Sequence, residues 1–245
     1  MTSPGCINIS PKSTEGQPMH VVFLIYPNVT QLDFTGPAQV LSRLPNARVD
    51  YAWKTREPVL TDSGFSVLPT ATLAEVTHAD ILCVPGGIGC TDVMEDEEIV
   101  AWLAETGAAS TWVTSVCTGS LILAAAGLLT GYRATCHWAW HDYLALFGAE
   151  PVRQRVVFDR SRVTGGGVTA GIDFGFALMA TIAGEEHARM VQLGLEYDPA
   201  PPFDSGAPDK ATPETVARLS TLFAGQGNDR DARIRAVAER SKETA

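Results

Sequence analysis

Short runs of mostly apolar residues alternate with helix-forming segments along this sequence, and this alternation limits the folds open to it. Residues 19–26, 79–85 and 111–116 have the length and composition of strands that are buried on both faces. Helical patterns begin at Gln31 after the first run and at Gly119 after the third. Strands that alternate with helices form a parallel sheet covered by helices on both faces. The sequence therefore predicts the α/β class, with a flavodoxin-like, mainly parallel sheet.

The composition excludes two classes of partner. The chain has 245 residues, of which 45% are hydrophobic and 19% charged, and its formal net charge is −10. Nucleic acids and anionic membranes repel such an acidic protein. No apolar run approaches the roughly 20 residues that a membrane-spanning helix requires. We therefore expect neither nucleic acid nor a membrane as a partner.

The composition also divides the chain into three segments. Residues 1–18 are rich in Ser, Pro and Gly and lack the apolar stretch of a secretory signal, which predicts a disordered extension. Residues 19–203 carry the α/β pattern, and residues 204–245 are expected to form a C-terminal arm and surface helix.

The cysteines are odd in number and show neither a CxxC pair nor zinc spacing. This usage predicts free thiols, a reducing cytoplasmic location and no metal.

Cys117 lies at an abrupt change from strand to helix. A reactive side chain between a β-prone run and a helix is typical of a nucleophile elbow. The first amides and the positive dipole end of the following helix would lower the pKa of this thiol and favour the thiolate. A buried, inert cysteine at a helix start is the alternative, because free cysteines are often buried. The local pattern leaves both interpretations open.

Asp33 and the Gly86-Gly87 pair follow two other predicted strands. Ligands of open α/β sheets bind beside the carboxyl ends of the strands, where these residues are expected. Asp33 is also a common type of helix-capping residue, and the glycines also suit an ordinary turn. Neither a Walker loop nor a dinucleotide-binding glycine spacing is present. If these strand ends meet at Cys117, they bring together a nucleophile, a carboxylate and backbone donors for covalent catalysis.

Four finer predictions concern helices. Residues 95–106 predict an amphipathic helix closed by Gly107, and residues 137–146 predict another. Residues 185–195 predict a helix with Met190 and Leu193 facing inward. Residues 212–222 are expected to form a surface helix.

Several motifs resemble the ThiJ/PfpI family of the class I glutamine-amidotransferase-like superfamily. They are residues 84–87 (Val-Pro-Gly-Gly), 115–120 (Ser-Val-Cys-Thr-Gly-Ser) and 124–128 (Ala-Ala-Ala-Gly-Leu). The resemblance extends over about residues 19–203. Within that family, a combination of five segments is similar to the isonitrile hydratases: residues 32–37, 117–119, 137–142, 164–173 and 195–203.

The resemblance implies hydration of an isonitrile, R–N≡C, to an N-substituted formamide without a cofactor. Cys117 would attack the isonitrile carbon and form a thioimidate, and Asp33 would act as general acid and base. Thr118 would polarise the site through its hydroxyl or amide. The substrate and its developing charge would be bound by the following residues: Gly86, Gly87, Gly166 and Val168. The family also implies a homodimer.

Other functions remain as alternatives. Thr118 stands where protease-like members carry a histidine, which disfavours proteolysis. His137 and His141 lack the Glu of a zinc-binding His-Glu-x-x-His motif. A cysteine-oxidation sensor and the ligand-binding domain of a transcription regulator share the fold and the Cys-Thr-Gly turn. A regulator of this family would carry an attached helix-turn-helix module. It is disfavoured because the roughly 40 residues after the proline-rich arm (residues 198–208) are too few for that module, and their charge is mixed.

Overall fold

A seven-stranded sheet forms the centre of the computed structural model, which describes residues 19–225 and 229–243. The predicted extension at residues 1–18 lies outside the described residues. The strands are β1 (Met19–Leu24), β2 (Ala47–Trp53), β3 (Val59–Leu60), β4 (Ser66–Val67), β5 (Ala71–Thr72), β6 (Ile81–Val84), β7 (Trp112–Val116), β8 (Arg133–Ala134), β9 (Glu150–Pro151), β10 (Val156–Asp159) and β11 (Arg162–Gly165). The main sheet has the order β10-β11-β7-β6-β1-β2-β5, and only β10 pairs antiparallel with its neighbour. This arrangement confirms the predicted α/β class.

Helices connect the parallel strands and pack in two groups. They are α1 (Gln31–Leu41), α2 (Cys90–Glu95), α3 (Glu97–Ala109), α4 (Gly119–Ala125), α5 (Ala170–Ala183), α6 (Glu185–Gly194), α7 (Pro213–Gly225) and α8 (Arg230–Glu243). Helix α1 packs against α5, which also contacts α6. Helix α4 contacts α2, α3 and α8. No helix among the described residues is long and apolar enough to cross a membrane.

The three central strands bring the predicted site residues to one edge of the sheet. Every residue of β6 and β7 is buried, as is the carboxyl-terminal part of β1. The strands are parallel neighbours: β1 pairs with β6, with Val21 opposite Ile81, and β6 pairs with β7, with Leu82 opposite Val113. The loops after β1, β6 and β7 therefore emerge side by side.

The helix containing Glu97 differs from its prediction at both ends. It begins after a separate helix, α2, and the Asp96 carboxylate caps it by accepting a hydrogen bond from the Ile99 amide. It continues past Gly107 to Ala109. A Cβ atom at residue 107 would lie 2.6 Å from Leu128 Cδ1. Gly107 thus permits close packing inside the helix and does not end it.

Two other helix predictions are wrong in detail. Residues 137–140 form turns, and a 3₁₀ helix follows over His141–Phe147. Aromatic residues lose rotamer freedom in a helix, and His137 and Trp140 instead pack their rings against Phe223. In α6 the side chains of Met190 and Leu193 are exposed.

The C-terminal helices differ in their packing. Helix α7 has no buried residue, in agreement with the predicted surface helix. Helix α8 buries Ile234, Val237 and Ala238 and contacts α2 and α4. Its Arg233 forms ion pairs with the carboxylates of Asp92 and Glu95, both in α2. The division of the chain at residue 204 stays a prediction.

Candidate active site

Cys117 occupies a strained turn between β7 and α4. Its φ angle is +57°, in a left-handed region that costs a non-glycine residue about 1–2 kcal/mol. Its amide donates hydrogen bonds to the carbonyl oxygens of Gly165 (3.1 Å) and Gly166 (2.7 Å), which hold this conformation. The side chain is buried beside the carboxyl end of the central strands. The backbone therefore makes the sharp strand-to-helix turn that the sequence predicts.

Asp33 reaches from the first turn of α1 to the glycine loop after β6. Its Oδ2 atom accepts a hydrogen bond from the Gly86 amide at 2.8 Å, while Oδ1 has no hydrogen-bond partner among the described residues. Only 1% of the residue is exposed. The N-cap position of α1 is held by Thr30, so the Asp33 carboxylate is directed into the site and does not cap its own helix.

Gly86 is the point at which Asp33 and Thr118 meet. A Cβ atom on Gly86 would lie 2.5 Å from the Thr118 amide nitrogen, 2.6 Å from Thr118 Oγ1 and 2.9 Å from Asp33 Oδ2. These distances are shorter than ordinary van der Waals contacts of a carbon atom. Only glycine at residue 86 therefore lets Asp33 and Thr118 approach the loop this closely.

Thr118 also holds the glycine loop, by a hydrogen bond to the residue after Gly86. Its buried Oγ1 atom accepts a hydrogen bond from the Gly87 amide at 3.0 Å, and its backbone amide lowers the pKa of Cys117 by hydrogen bonding. The amides of Gly86 and Gly87, predicted as donors to substrate, are thus engaged by Asp33 and Thr118. Their role toward substrate stays a prediction.

Burial controls the charges of Asp33 and Cys117. Loss of hydration raises the pKa of Asp33 from 3.8 to about 7, against the opposing effects of the hydrogen bond from the Gly86 amide and, more weakly, of the nearby Cys117 thiol.

Burial also raises the pKa of Cys117 well above its usual value, and the nearby Asp33 charge raises it further. The expected lowering of this pKa by the helix start is therefore wrong, because desolvation outweighs the Thr118 amide that opposes it. The resting pair is a neutral thiol beside a carboxyl group that titrates near neutral pH.

Gly166 and Val168 lie in the loop behind Cys117. The Gly166 amide donates to the Arg155 carbonyl at 2.9 Å, and its own carbonyl accepts from Cys117. Val168 is half-buried, and its carbonyl accepts a hydrogen bond from the Gly171 amide at 3.3 Å. The structure brings Gly166 to the Cys117 backbone, whereas contact of either residue with substrate stays a prediction.

The histidines considered for zinc do not converge. His137 packs among aromatic rings, and burial together with the Arg230 charge lowers its pKa to about 4. His141 is buried and lies 3.5 Å from the Asp142 carboxylate. Within residues 19–225 and 229–243 no group of three or more His, Cys, Asp or Glu side chains could hold a metal ion.

Arg230 is a residue near the site that no sequence motif indicates. It lies in α8, more than a hundred residues after Cys117, yet its guanidinium reaches the carbonyls of Gly87 and Ile88. A single arginine in a charged helix has no local pattern that would reveal such a contact.

Comparison with known proteins gives consistent matches. The sequence matches the DJ-1/PfpI family over residues 19–181. An isonitrile hydratase of Pseudomonas putida is 50% identical over 198 residues, which cover 81% of this chain and 87% of that protein. The crystal structure of a ThiJ/PfpI family protein from Pseudomonas syringae is 38% identical, with a TM-score of 0.86 and coverage of 96% of this chain and 97% of that one.

A more distant similarity links the chain to a regulator. The HTH-type transcriptional regulator CdhR of Pseudomonas aeruginosa is 30% identical over 176 residues, which cover 69% of this chain but 52% of the regulator. The similarity is thus limited to about half of that protein. The shared fold and the matched span show that this chain belongs to the DJ-1/PfpI family, as the resemblance of its motifs predicts.

Proposed function

We propose that this protein hydrates isonitriles to N-substituted formamides, with Cys117 as nucleophile and Asp33 as general acid and base. The observation that carries the proposal is the 50% identity to an isonitrile hydratase over most of both chains. The buried thiol–carboxyl pair at the edge of the sheet supports it, because this addition needs a soft nucleophile and a proton carrier.

The first step adds the thiol across the terminal carbon of R–N≡C. Asp33, as a carboxylate, takes the proton from Cys117 Sγ while the sulfur forms a bond to the isonitrile carbon. Asp33 then returns the proton to that carbon, which gives the thioimidate R–N=CH–S–Cys117. One S–H bond is broken, and one C–S bond and one C–H bond are formed.

The second step adds water to the thioimidate. Asp33 accepts a proton from the attacking water and passes it to the nitrogen as the C=N bond becomes single, so Asp33 is again a carboxylate. The resulting adduct, R–NH–CH(OH)–S–Cys117, loses the sulfur and forms R–NH–CHO. The hydroxyl proton returns to Sγ through Asp33, so the net reaction consumes one isonitrile and one water.

The electrostatics of Asp33 and Cys117 suit these proton transfers. A general base or acid works best when its pKa lies near the working pH. With a pKa of about 7, Asp33 is present in both protonation states at neutral pH, whereas an ordinary aspartate would be almost entirely ionised. Thr118 supports the sulfur through its backbone amide, and its hydroxyl holds the glycine loop.

Turnover of simple isonitriles tests the proposal. The protein is incubated with cyclohexyl or p-nitrophenyl isocyanide, and the formamide is measured by chromatography. Cys117→Ala should reduce turnover to the uncatalysed rate, while Cys83→Ala, which changes a buried thiol outside the site, should retain activity. Absence of formamide with the wild-type protein would refute the proposed reaction, and full activity of Cys117→Ala would refute the proposed nucleophile.

The buried, neutral state of Cys117 disfavours the alternative of an oxidation sensor. Oxidation of a thiol proceeds through the thiolate. The raised pKa of Cys117 keeps the resting thiol protonated, so little thiolate is present for an oxidant. We therefore retain catalysis as the proposed role. A homodimer and a cytoplasmic location remain proposals by resemblance to the family, and sedimentation of the purified protein would test the first.

A further inference from the structure

The guanidinium of Arg230 joins the C-terminal helix α8 to the glycine loop of the site. Its Nη2 atom lies 3.2 Å from the Gly87 carbonyl oxygen, 3.1 Å from the Ile88 carbonyl oxygen and 3.1 Å from Cys90 Sγ. The same guanidinium lies over the ring of Trp140, with 4.8 Å between its central carbon and the ring centroid. Helix α8 lies outside the 19–181 span that matches the family.

The charge of Arg230 is directed at the loop and not at a neighbouring acid. Within the described part of the chain, no carboxylate oxygen lies within 4.0 Å of its guanidinium nitrogens. This contrasts with Arg233, one turn further along α8, which is paired with Asp92 and Glu95. Hydrogen bonds from a charged donor to neutral carbonyls are stronger than those between neutral groups. Arg230 thus acts mainly on the loop backbone.

The loop held by Arg230 is the one that orders the catalytic groups. The Gly87 carbonyl lies 3.5 Å from Thr118 Oγ1, and the Gly87 amide donates to that same oxygen. The preceding amide, of Gly86, binds the Asp33 carboxylate. Ile88 is 52% exposed, so its side chain contributes little to fixing the loop. Displacement of the Gly87 and Ile88 carbonyls would therefore move the groups that contact Thr118 and Asp33.

We propose that Arg230 is a positioning residue for the reaction, which fixes the glycine loop and thereby the orientation of Asp33 and Thr118 toward Cys117. The C-terminal helix is then a functional part of the site. The kinetic consequence rests on the proposed isonitrile hydration, whereas the effect on the Cys117 thiol does not.

Matched substitutions on α8 test this proposal. Arg230→Met keeps an unbranched side chain beside Trp140 but removes the donors to the loop, and Arg233→Met removes only the ion pairs to α2. We expect kcat for p-nitrophenyl isocyanide to fall by about 10- to 100-fold in Arg230→Met, since small displacements of reacting groups have effects of this size. We expect kcat near the wild-type value in Arg233→Met, even if its melting temperature falls. Arg230→Lys should recover part of the loss, because its ammonium can reach only part of the same acceptor set.

Alkylation of Cys117 by iodoacetamide supplies a readout that does not require turnover. Its rate is followed against pH by mass spectrometry of the peptide containing residue 117. We expect an inflection near pH 7 from Asp33 in the wild type and in Arg233→Met. In Arg230→Met the inflection should move to higher pH, because a displaced Gly86 amide no longer stabilises the Asp33 carboxylate.

The two readouts separate failure of the proposal from failure of the proposed function. If the wild type hydrates no isonitrile, the proposed function fails, and the alkylation profile still decides the role of Arg230. If Arg230→Met keeps both wild-type kcat and the wild-type inflection, the positioning role is wrong. It is equally wrong if the two arginine variants lose kcat in parallel with their melting temperatures, because Arg230 would then serve only to dock α8.

Discussion

Replacement of Asp33 by Asn should stabilise the folded protein above neutral pH while it removes activity. The Asp33 carboxyl is almost completely buried, and one of its oxygens has no partner within the described structure. Ionisation of such a group is costly. An asparagine at this position retains an acceptor for the Gly86 amide but carries no charge at any pH. The site thus contains a charge that opposes folding.

The magnitude follows from the pKa of Asp33 in the two states. In the unfolded chain the group titrates near 3.8, and in the folded protein burial raises this value to about 7. Between these values the folded state holds a proton that the unfolded state has released, so stability falls as pH rises. The interval spans about three pH units, which corresponds to a loss of up to about 4 kcal/mol. This loss is absent below pH 4 and complete above pH 7.

Urea unfolding from pH 4 to pH 9 measures this effect. The free energy of unfolding of Asp33→Asn minus that of the wild type should rise through the interval and level off above pH 7. Asp159→Asn is the matched control, because hydrogen bonding to Arg160 lowers the pKa of Asp159. That carboxylate stabilises the fold above its unfolded pKa and loses this effect as pH falls, so its variant should be the less stable one at neutral pH. A difference for Asp33→Asn that does not change with pH would refute the reasoning.

The remaining predictions concern the same site. The kcat/KM of the wild type should fall about tenfold per pH unit below pH 7, as the Asp33 base becomes protonated, and a profile flat down to pH 5 would contradict this role. Gly86→Ala should abolish turnover and lower the melting temperature, because its Cβ would collide with the Thr118 amide; a wild-type melting temperature would show that the loop can yield. Thr118→Val should cost about 1–3 kcal/mol of stability by urea unfolding, since the buried Gly87 amide loses its acceptor, whereas Thr118→Ser should retain most of it.

The sequence was sufficient to predict the part of the site that depends on strand order. Apolar runs identified β1, β6 and β7, and parallel strands necessarily end at one edge, so Asp33, Gly86 and Cys117 could be placed together. The family resemblance was confirmed over residues 19–181. Contacts that join distant parts of the chain were not predictable in this way. Arg230 reaches the glycine loop from α8, and no periodicity or motif encodes that approach.

The direction in which the pKa of Cys117 is shifted could not be predicted from the sequence either, because it depends on a balance between two opposing effects. The strand-to-helix turn provides the Thr118 amide, which favours a thiolate, but the same turn buries the sulfur next to an acidic group. Burial prevails, and the thiol stays protonated in the resting protein. In the proposed mechanism the protonated thiol needs a base to become a nucleophile, and burial prepares Asp33 for that role by raising its pKa to about 7. On this proposal, the desolvation that opposes a free thiolate also creates the proton acceptor beside it, and the sulfur is activated when its proton moves to Asp33.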